Sequence, residues 1–325
     1  METMRIVIDI DKCVGCYNCL VACKDEHVGN SWLPYTDTQR KHEQKWIDVE
    51  RCERGAAPFT EVRFIPRLCN HCEDPPCGKA FPDAVIRRED GVVLLNAEKA
   101  QGNKALLGAC PYGMISWNDD LAVAQKCTMC AHLLDAGWKE PRCVQACPMR
   151  ALSVVRMEDG EFAQLAAEQG LEPPPCAAGA AAAAGCCGNN AGAAAGTAAA
   201  AGTAVMYKNL WKVKSCFISG ALASRSGIAG KCADCEEMFD CEEIAAGGDD
   251  GLGEMAIADA PVKLWKDGAP VAETVTDFFG EFKFDGLEKN SGSYELSYEP
   301  EGYAPVKREV TIGDSCVCLD VEIFV

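Results

Sequence analysis

Positive charge is scarce in this 325-residue sequence: 31 lysines and arginines face 49 acids, a formal net charge of −18. Nucleic acid is therefore not an expected partner, because phosphate contacts need a basic face. Long apolar runs are also missing. No stretch reaches the roughly 20 residues of a membrane span, and METMRIVIDIDKC at the start has no basic leader ahead of an apolar core. A soluble chain is expected, cytoplasmic or exported alongside a partner that carries the signal. No phosphate-binding G-x-x-x-x-G-K-[ST] loop, no G-x-G-x-x-G fingerprint and no nucleophile–base triad occurs. The acidic pairs Asp119-Asp120 and Glu236-Glu237 sit in ordinary solvated contexts. Nothing marks a substrate site. Histidine is rare too, at four residues, whereas cysteine reaches 22.

So many thiols exceed what an ordinary soluble enzyme needs, and the chain is too long for a small disulfide scaffold. The spacing points to metal. Cys13-x2-Cys16-x2-Cys19-x3-Cys23 is a strong iron–sulfur signal. Three close thiolates grip three corners of one cubane, and the fourth, a helical turn on, serves a different cluster. The last motif is Cys127-x2-Cys130-x12-Cys143-x3-Cys147-Pro148. The ferredoxin pattern makes these two exchange partners. Cluster A then takes Cys13, Cys16, Cys19 and Cys147, and cluster B takes Cys23, Cys127, Cys130 and Cys143.

Two incomplete motifs lie between them. Cys69-x2-Cys72-x4-Cys77 lacks its fourth ligand, and Phe81-Pro82 stands where Cys-Pro is usual. The stretch around Cys110-Pro111 has the opposite defect. Leu106, Asn103 and Ala100 occupy its first three ligand positions, counting back from Cys110. With crossed ligation the four missing thiols belong to one cluster. The survivors Cys69, Cys72, Cys77 and Cys110 make a complete set, cluster C. Independent decay would rarely remove one whole set and spare the other. Three [4Fe–4S] clusters in a four-site frame is the simplest expectation. The competing one treats Cys110 as a buried structural thiol and gives the middle motif zinc or a [3Fe–4S] cluster. About twelve irons per chain against about eight separates them.

Lys12, Lys24 and Lys126 flank ligand cysteines. Each is either a cation that favours the reduced cluster or a solvated surface lysine. His71 lies inside Cys-Asn-His-Cys, where hydrogen bonding or packing is expected over metal ligation. Tyr112, Trp117 and Trp138 are expected core or subunit-contact aromatics. Ten cysteines remain. Cys52 and Cys216 read as buried small residues. Cys176, Cys186 and Cys187 lie in low-complexity sequence. Cys316 and Cys318 alternate along one strand. Cys232-x2-Cys235-x5-Cys241 could supply three ligands of an extra metal site but shows no fourth. This surplus of thiols favours a reducing, anaerobic setting.

The organisation expected is α+β. Residues 1–172 form a ferredoxin-like poly-cluster domain, 173–204 an Ala/Gly-rich linker or insertion, and 205–325 a small β-sandwich. Strands are expected at 213–223, 261–266, 270–276, 279–284, 293–299 and 305–312. Turn signals such as Asp267-Gly268, Asp285-Gly286 and Ser291-Gly292 separate them. An acidic, Gly-rich insertion at about 224–257 is expected to be loop.

The four-motif frame resembles the electron-transfer subunits of the dimethyl-sulfoxide-reductase superfamily of molybdenum enzymes. DEHVGNSWLPYTDTQRKHEQKWIDVERCERG, REDGVVLLNAEKAQGNKALLGACPYGMISWN, VAQKCTMCAHLLDAGW and TDFFGEFKFDGL narrow the likeness. They are similar to the small subunits of pyrogallol–phloroglucinol transhydroxylases and their catechol-dehydroxylase relatives, over most of 1–172 and 205–325. The Ala/Gly tract and the 224–257 insertion depart from that pattern. The resemblance implies three [4Fe–4S] clusters on the twelve cysteines above and a transthyretin- or carboxypeptidase-regulatory-like C-terminal sandwich. It also implies a large catalytic subunit that carries molybdenum bis(pterin guanine dinucleotide) and acts on vicinal aromatic hydroxyls. No catalytic residue is implied on this chain, and an external electron donor is compatible with it. The expected role is electron transfer within such a complex. The alternatives are a subunit of another molybdenum or tungsten reductase, or a structural protein in which clusters only hold the fold.

Overall fold

The structure is a computed structural model that describes residues 2–174, 202–227 and 252–325. Most of the Ala/Gly tract and the centre of the acidic insertion, with Cys176, Cys186, Cys187, Cys232, Cys235 and Cys241, lie outside the described residues. The chain divides into two compact units. One comprises Met1–Glu53 and Val62–Val213, the other Arg54–Glu61 and Lys214–Val325. Among the described residues no helix is long and apolar enough to cross a membrane.

The first unit is built on the strand Thr3–Asp9. It pairs antiparallel with Leu152–Met157, from Thr3 opposite Met157 to Ile8 opposite Leu152, and parallel with Val205–Lys208. Successive strand side chains point to opposite faces, and here both faces are covered. Met4, Ile6 and Ile8 enter a core shared with Cys19, Cys23, Cys143 and Cys147. Val7 packs on the other side with Phe162 and Leu171. Phe162 belongs to the helix Asp159–Gln169, which starts with a reciprocal Glu158–Glu161 capping box and stops at left-handed Gly170. Residues 205–213 thus belong with the first unit. Their alternation buries Val205 and Tyr207, and the Tyr207 hydroxyl donates to the Pro66 carbonyl at 2.8 Å. Buried Arg5 joins distant segments. It donates to Glu73 at 2.7 Å, Asp159 at 2.6 Å and the Thr203 carbonyl at 3.3 Å.

The second unit is a β-sandwich. One sheet has the order Ala269–Val275, Pro261–Lys266, Gly292–Tyr298, Val306–Ile312. The other centres on the 12-residue strand Cys216–Gly227, which pairs with Leu252–Ala256, Glu281–Leu287 and, in parallel, Val317–Phe324. Alternating Val262, Leu264, Phe282, Phe284, Tyr294, Leu296, Val310 and Ile312 fill the core between the sheets.

Three features differ from the sequence expectation. Leu252–Ala256 is a strand rather than loop, paired from Ala223–Ala256 to Gly227–Leu252. Its register comes from a distant partner, which a weakly alternating, Gly-rich stretch does not advertise. The residues Trp211–Lys214 form a helical turn, and the strand begins at Cys216. Asp285-Gly286 is not a connection between strands. It is a bulge within Glu281–Leu287, where Cys216 faces Leu287 but Ile218 faces Phe284. Gly286 takes φ +80° there, and the Asp285 carboxylate binds buried Arg54 and the Gly286 amide.

Gly280 also needs its missing side chain. Its φ is +74°, and a Cβ would meet the Leu222 carbonyl oxygen at 2.3 Å. Gly280→Ala is expected to destabilise the sandwich by about 1–3 kcal/mol without lowering iron content. Thermal unfolding with parallel iron analysis checks this.

Candidate metal centres

Each cysteine motif turns on residues in left-handed backbone: Gly15 and Tyr17 in the first, His71 in the middle one, Met129 and Cys130 in the last. Such conformations are uncommon for non-glycine residues and persist where the surroundings fix them. They turn successive amide N–H groups into a concavity suited to anions, iron–sulfur clusters included. Gly15 has a second constraint, since a Cβ would lie 2.6 Å from the Phe64 ring. Several amides already face sulfur. Met114 N–H donates to Cys110 Sγ at 3.4 Å, Met129 to Cys127 at 3.3 Å and Ala151 to Cys147 at 3.2 Å.

The thiols act on one another in groups. Burial pushes Cys19 up to about 12, and the charges of Cys13, Cys147 and Cys16 push the same way. Cys13 is raised by burial and by Cys147 and Cys16. Cys23 is raised well above the ordinary thiol range by burial, then by Cys127 and Cys130. Cys143 is raised in the same way, by burial and then by Cys130, Cys127 and Cys23. Those four line one apolar pocket. Burial pushes Cys72 up to about 12, with Cys69, Cys110 and Cys77 adding to it. The groups also touch in sequence. Cys19 acts on Cys23 and Cys143, and Cys127 is raised to about 11 by burial and then by Cys69.

Among the described residues, no three His, Cys, Asp or Glu side chains converge closely enough for a single metal ion.

The three flanking lysines part company. Lys12 is 57% exposed and reaches only Asp9, at 3.8 Å. Lys24 donates to the carbonyls of Arg40, at 2.6 Å, and Gln44; burial lowers its pKa. Lys126 is 2% exposed. Its ammonium lies 3.4 Å from Cys69 Sγ and 3.1 Å from the Cys127 carbonyl, and it also donates to Val93 O. His71 hydrogen-bonds, accepting from Val93 N–H through Nδ1 at 2.9 Å. Burial and Lys126 hold it well below the usual imidazole range.

Sequence reasoning missed His27. It stands one helical turn after Cys23 in Asn18–His27, in the same pocket, with Nε2 3.8 Å from Cys130 Sγ. The i, i+4 spacing was the available signal. Burial, then His132, lowers it to about 3. His71 Nε2 and the Thr128 hydroxyl are buried without hydrogen-bond partners. Unpaired buried polar atoms beside clustered thiols fit a polyanionic group with sulfur acceptors.

The comparisons with known proteins agree with that chemistry. A family model described as a 4Fe-4S dicluster domain matches residues 60–157, leaving Cys13 to Cys23 outside the match. The pyrogallol hydroxytransferase small subunit of Pelobacter acidigallici is 35% identical, over 98% of this chain and 98% of its own length. The protein belongs to the pyrogallol hydroxytransferase small-subunit family. The iron–sulfur subunit of the arsenate respiratory reductase of Shewanella sp. (strain ANA-3) is 30% identical, over 48% of this chain and 82% of its own. The anaerobic dimethyl sulfoxide reductase of Escherichia coli has a polypeptide that is 33% identical, over 49% and 78%. As a member of this family the protein is an iron–sulfur electron-transfer subunit of a molybdopterin oxidoreductase complex, and it is the non-catalytic one.

For this family member the four positions that the motif spacing leaves without a thiol have a plain structural use. Ala100 and Leu106 are fully buried and Phe81 packs beside them, in a core with Cys77, Val93, Ile115 and Val123. Asn103 is half-buried and precedes the short helix Lys104–Ala109. Trp117 packs against this core, Tyr112 is buried, and Trp138 is exposed. Leu106→Ala is expected to cost about 2–5 kcal/mol through the cavity it leaves. Iron per chain stays unchanged, because the position carries packing and no ligand. Denaturant unfolding and iron analysis check both parts.

Proposed function

We propose that the twelve cysteines hold three [4Fe–4S] clusters. Cys13, Cys16, Cys19 and Cys147 form cluster A, Cys23, Cys127, Cys130 and Cys143 form cluster B, and Cys69, Cys72, Cys77 and Cys110 form cluster C. The observation that carries this is the grouping of the thiols: Cys13, Cys16 and Cys147 act on Cys19; Cys23, Cys127, Cys130 and Cys143 line one pocket; and Cys69, Cys77 and Cys110 act on Cys72, with Cys19 and Cys69 reaching across to the second set. The clusters supply one-electron conduction. The chain's own residues hold them in the order A, B, C, exclude water from B, and supply donors to sulfur.

The electrons pass to or from molybdenum bis(pterin guanine dinucleotide) on a separate large subunit that removes or transfers an aromatic hydroxyl. Likeness to the pyrogallol hydroxytransferase small subunit along nearly the whole chain supports this substrate class over an inorganic one. Dehydroxylation takes two electrons and two protons and releases the hydroxyl as water. Transhydroxylation needs no net electrons, and the clusters then poise the metal. The large subunit docks at cluster A. Cys16 is exposed there, and Val14, Tyr17, Val21 and Met149 form an exposed apolar rim around the motif. Apolar surface of this kind marks an interaction site. The sandwich is of transthyretin or carboxypeptidase-regulatory type and acts as a passive interface domain. The setting is anaerobic and cytoplasmic.

Anoxic purification with the large subunit tests the proposal. About twelve irons per chain are expected, with about four lost in Cys110→Ser. About eight in the parent protein rejects cluster C. Consumption of reduced dye with a catechol identifies a dehydroxylase, and turnover of pyrogallol without dye a transhydroxylase. Purification without any molybdenum-bearing partner rejects the whole assignment.

A further inference from the structure

We propose that Lys126 and His71, both clamped by the backbone of Val93, set the reduction potential of cluster C. This rests on the cluster assignment proposed above. Val93 begins the short strand Val93–Leu95 and contributes both of its backbone polar groups. Its N–H donates to His71 Nδ1, and its carbonyl accepts from Lys126 Nζ. One residue therefore fixes two side chains that come from different motifs.

The clamp decides where the imidazole proton sits. A neutral ring that accepts through Nδ1 carries its proton on Nε2. That Nε2–H is buried and has no hydrogen-bond partner. His71 lies between the cluster ligands Cys69 and Cys72 in sequence, and its own backbone is held at φ +40°. The acceptor left for this donor is a sulfur of cluster C.

Lys126 completes the device. An ammonium has three N–H donors and no acceptor. Three acceptors surround it: Cys69 Sγ, the Val93 carbonyl and the Cys127 carbonyl. It meets cluster C through a ligand sulfur but cluster B only through a backbone carbonyl. Reduction by one electron adds one negative charge to a cluster and its thiolates. A buried cation beside a ligand sulfur stabilises that added charge far more than a solvated one, because little water screens it. A hydrogen bond to sulfur acts in the same direction. Both groups therefore raise the potential of cluster C, and Lys126 acts on cluster B more weakly.

The test is a redox titration of the intact complex followed by electron paramagnetic resonance, with Cys110→Ser identifying the cluster C signal. In Lys126→Met the reduction equilibrium constant of cluster C is expected to fall at least tenfold, a downward shift of about 59 mV for one electron. Cluster A stays in place and iron stays near twelve per chain. His71→Leu is expected to shift the same signal in the same direction by a smaller amount. A structural role alone would lose iron without moving a potential. Unchanged cluster C potentials in both variants at full iron content overturn this inference and leave the cluster assignment standing. Loss of cluster C from both variants makes the pair assembly residues and also overturns it. A parent protein with about eight irons, or a Cys110→Ser variant that perturbs no cluster, overturns the cluster assignment instead.

Discussion

A buried thiolate is stable only beside compensating positive charge. That constraint governs the first unit. Its cysteines are core residues: Cys19, Cys23, Cys143 and Cys147 share one core with Ile6, Ile8 and Ile10. Burial and mutual repulsion push the thiols up, Cys19, Cys72 and Cys130 to about 12. Without metal they remain protonated, and the loops around them already aim amides at the sulfurs of Cys110, Cys127 and Cys147. In the proposed assignment iron removes both penalties at once, so metal loading and completion of this fold are one process. The strand Thr3–Asp9 and the helix Asn18–His27 present apolar side chains and ligands from the same short elements. Neither set can be placed without the other.

The same constraint explains how a cluster site disappears. Removing one ligand strands three buried thiols that raise one another. Filling the whole site with apolar side chains strands none. Phe81, Ala100 and Leu106 now form part of a continuous core that reaches Cys77 and Cys110. Asn103 stays polar because its position is half-exposed at the start of a helix. In the proposed assignment these side chains give the ligands of cluster C a packed wall on that side.

How much could be read in advance followed from the range of the interaction. The C-x2-C spacings are local, so eleven candidate ligands were legible, and the crossed pattern of loss made Cys110 the twelfth. The alternating sandwich strands were equally open, since period-2 burial needs only neighbours in sequence. What stayed hidden depended on partners far along the chain. Lys12, Lys24 and Lys126 looked alike beside their cysteines. They differ because Val93, 33 residues away, offers a carbonyl to Lys126 alone. His27 stands one helical turn from Cys23, and Cys130 lying beside it gives that spacing its meaning. The strand Leu252–Ala256 exists through its pairing with the end of Cys216–Gly227. Asp285-Gly286 carries a turn signal in any context, and only the register against Cys216 and Ile218 turns it into a bulge.

The chain is strongly acidic, and clusters add more negative charge, so the means of compensation must differ with depth. At cluster A the work falls to solvent: Cys16 is exposed and Lys12 extends into water. Around Lys126 water is excluded, and Lys126, Cys69 and His71 are all buried, while Cys72 and Cys110 are half-buried. There the compensation has to be built from side chains, and a compact ammonium with three fixed acceptors is the smallest group that can supply it. In the proposed assignment the cation stands where a ligand sulfur, Cys69, is itself buried. The protein keeps its one lysine buried against a ligand sulfur, among the described residues, between Cys69 and Cys127.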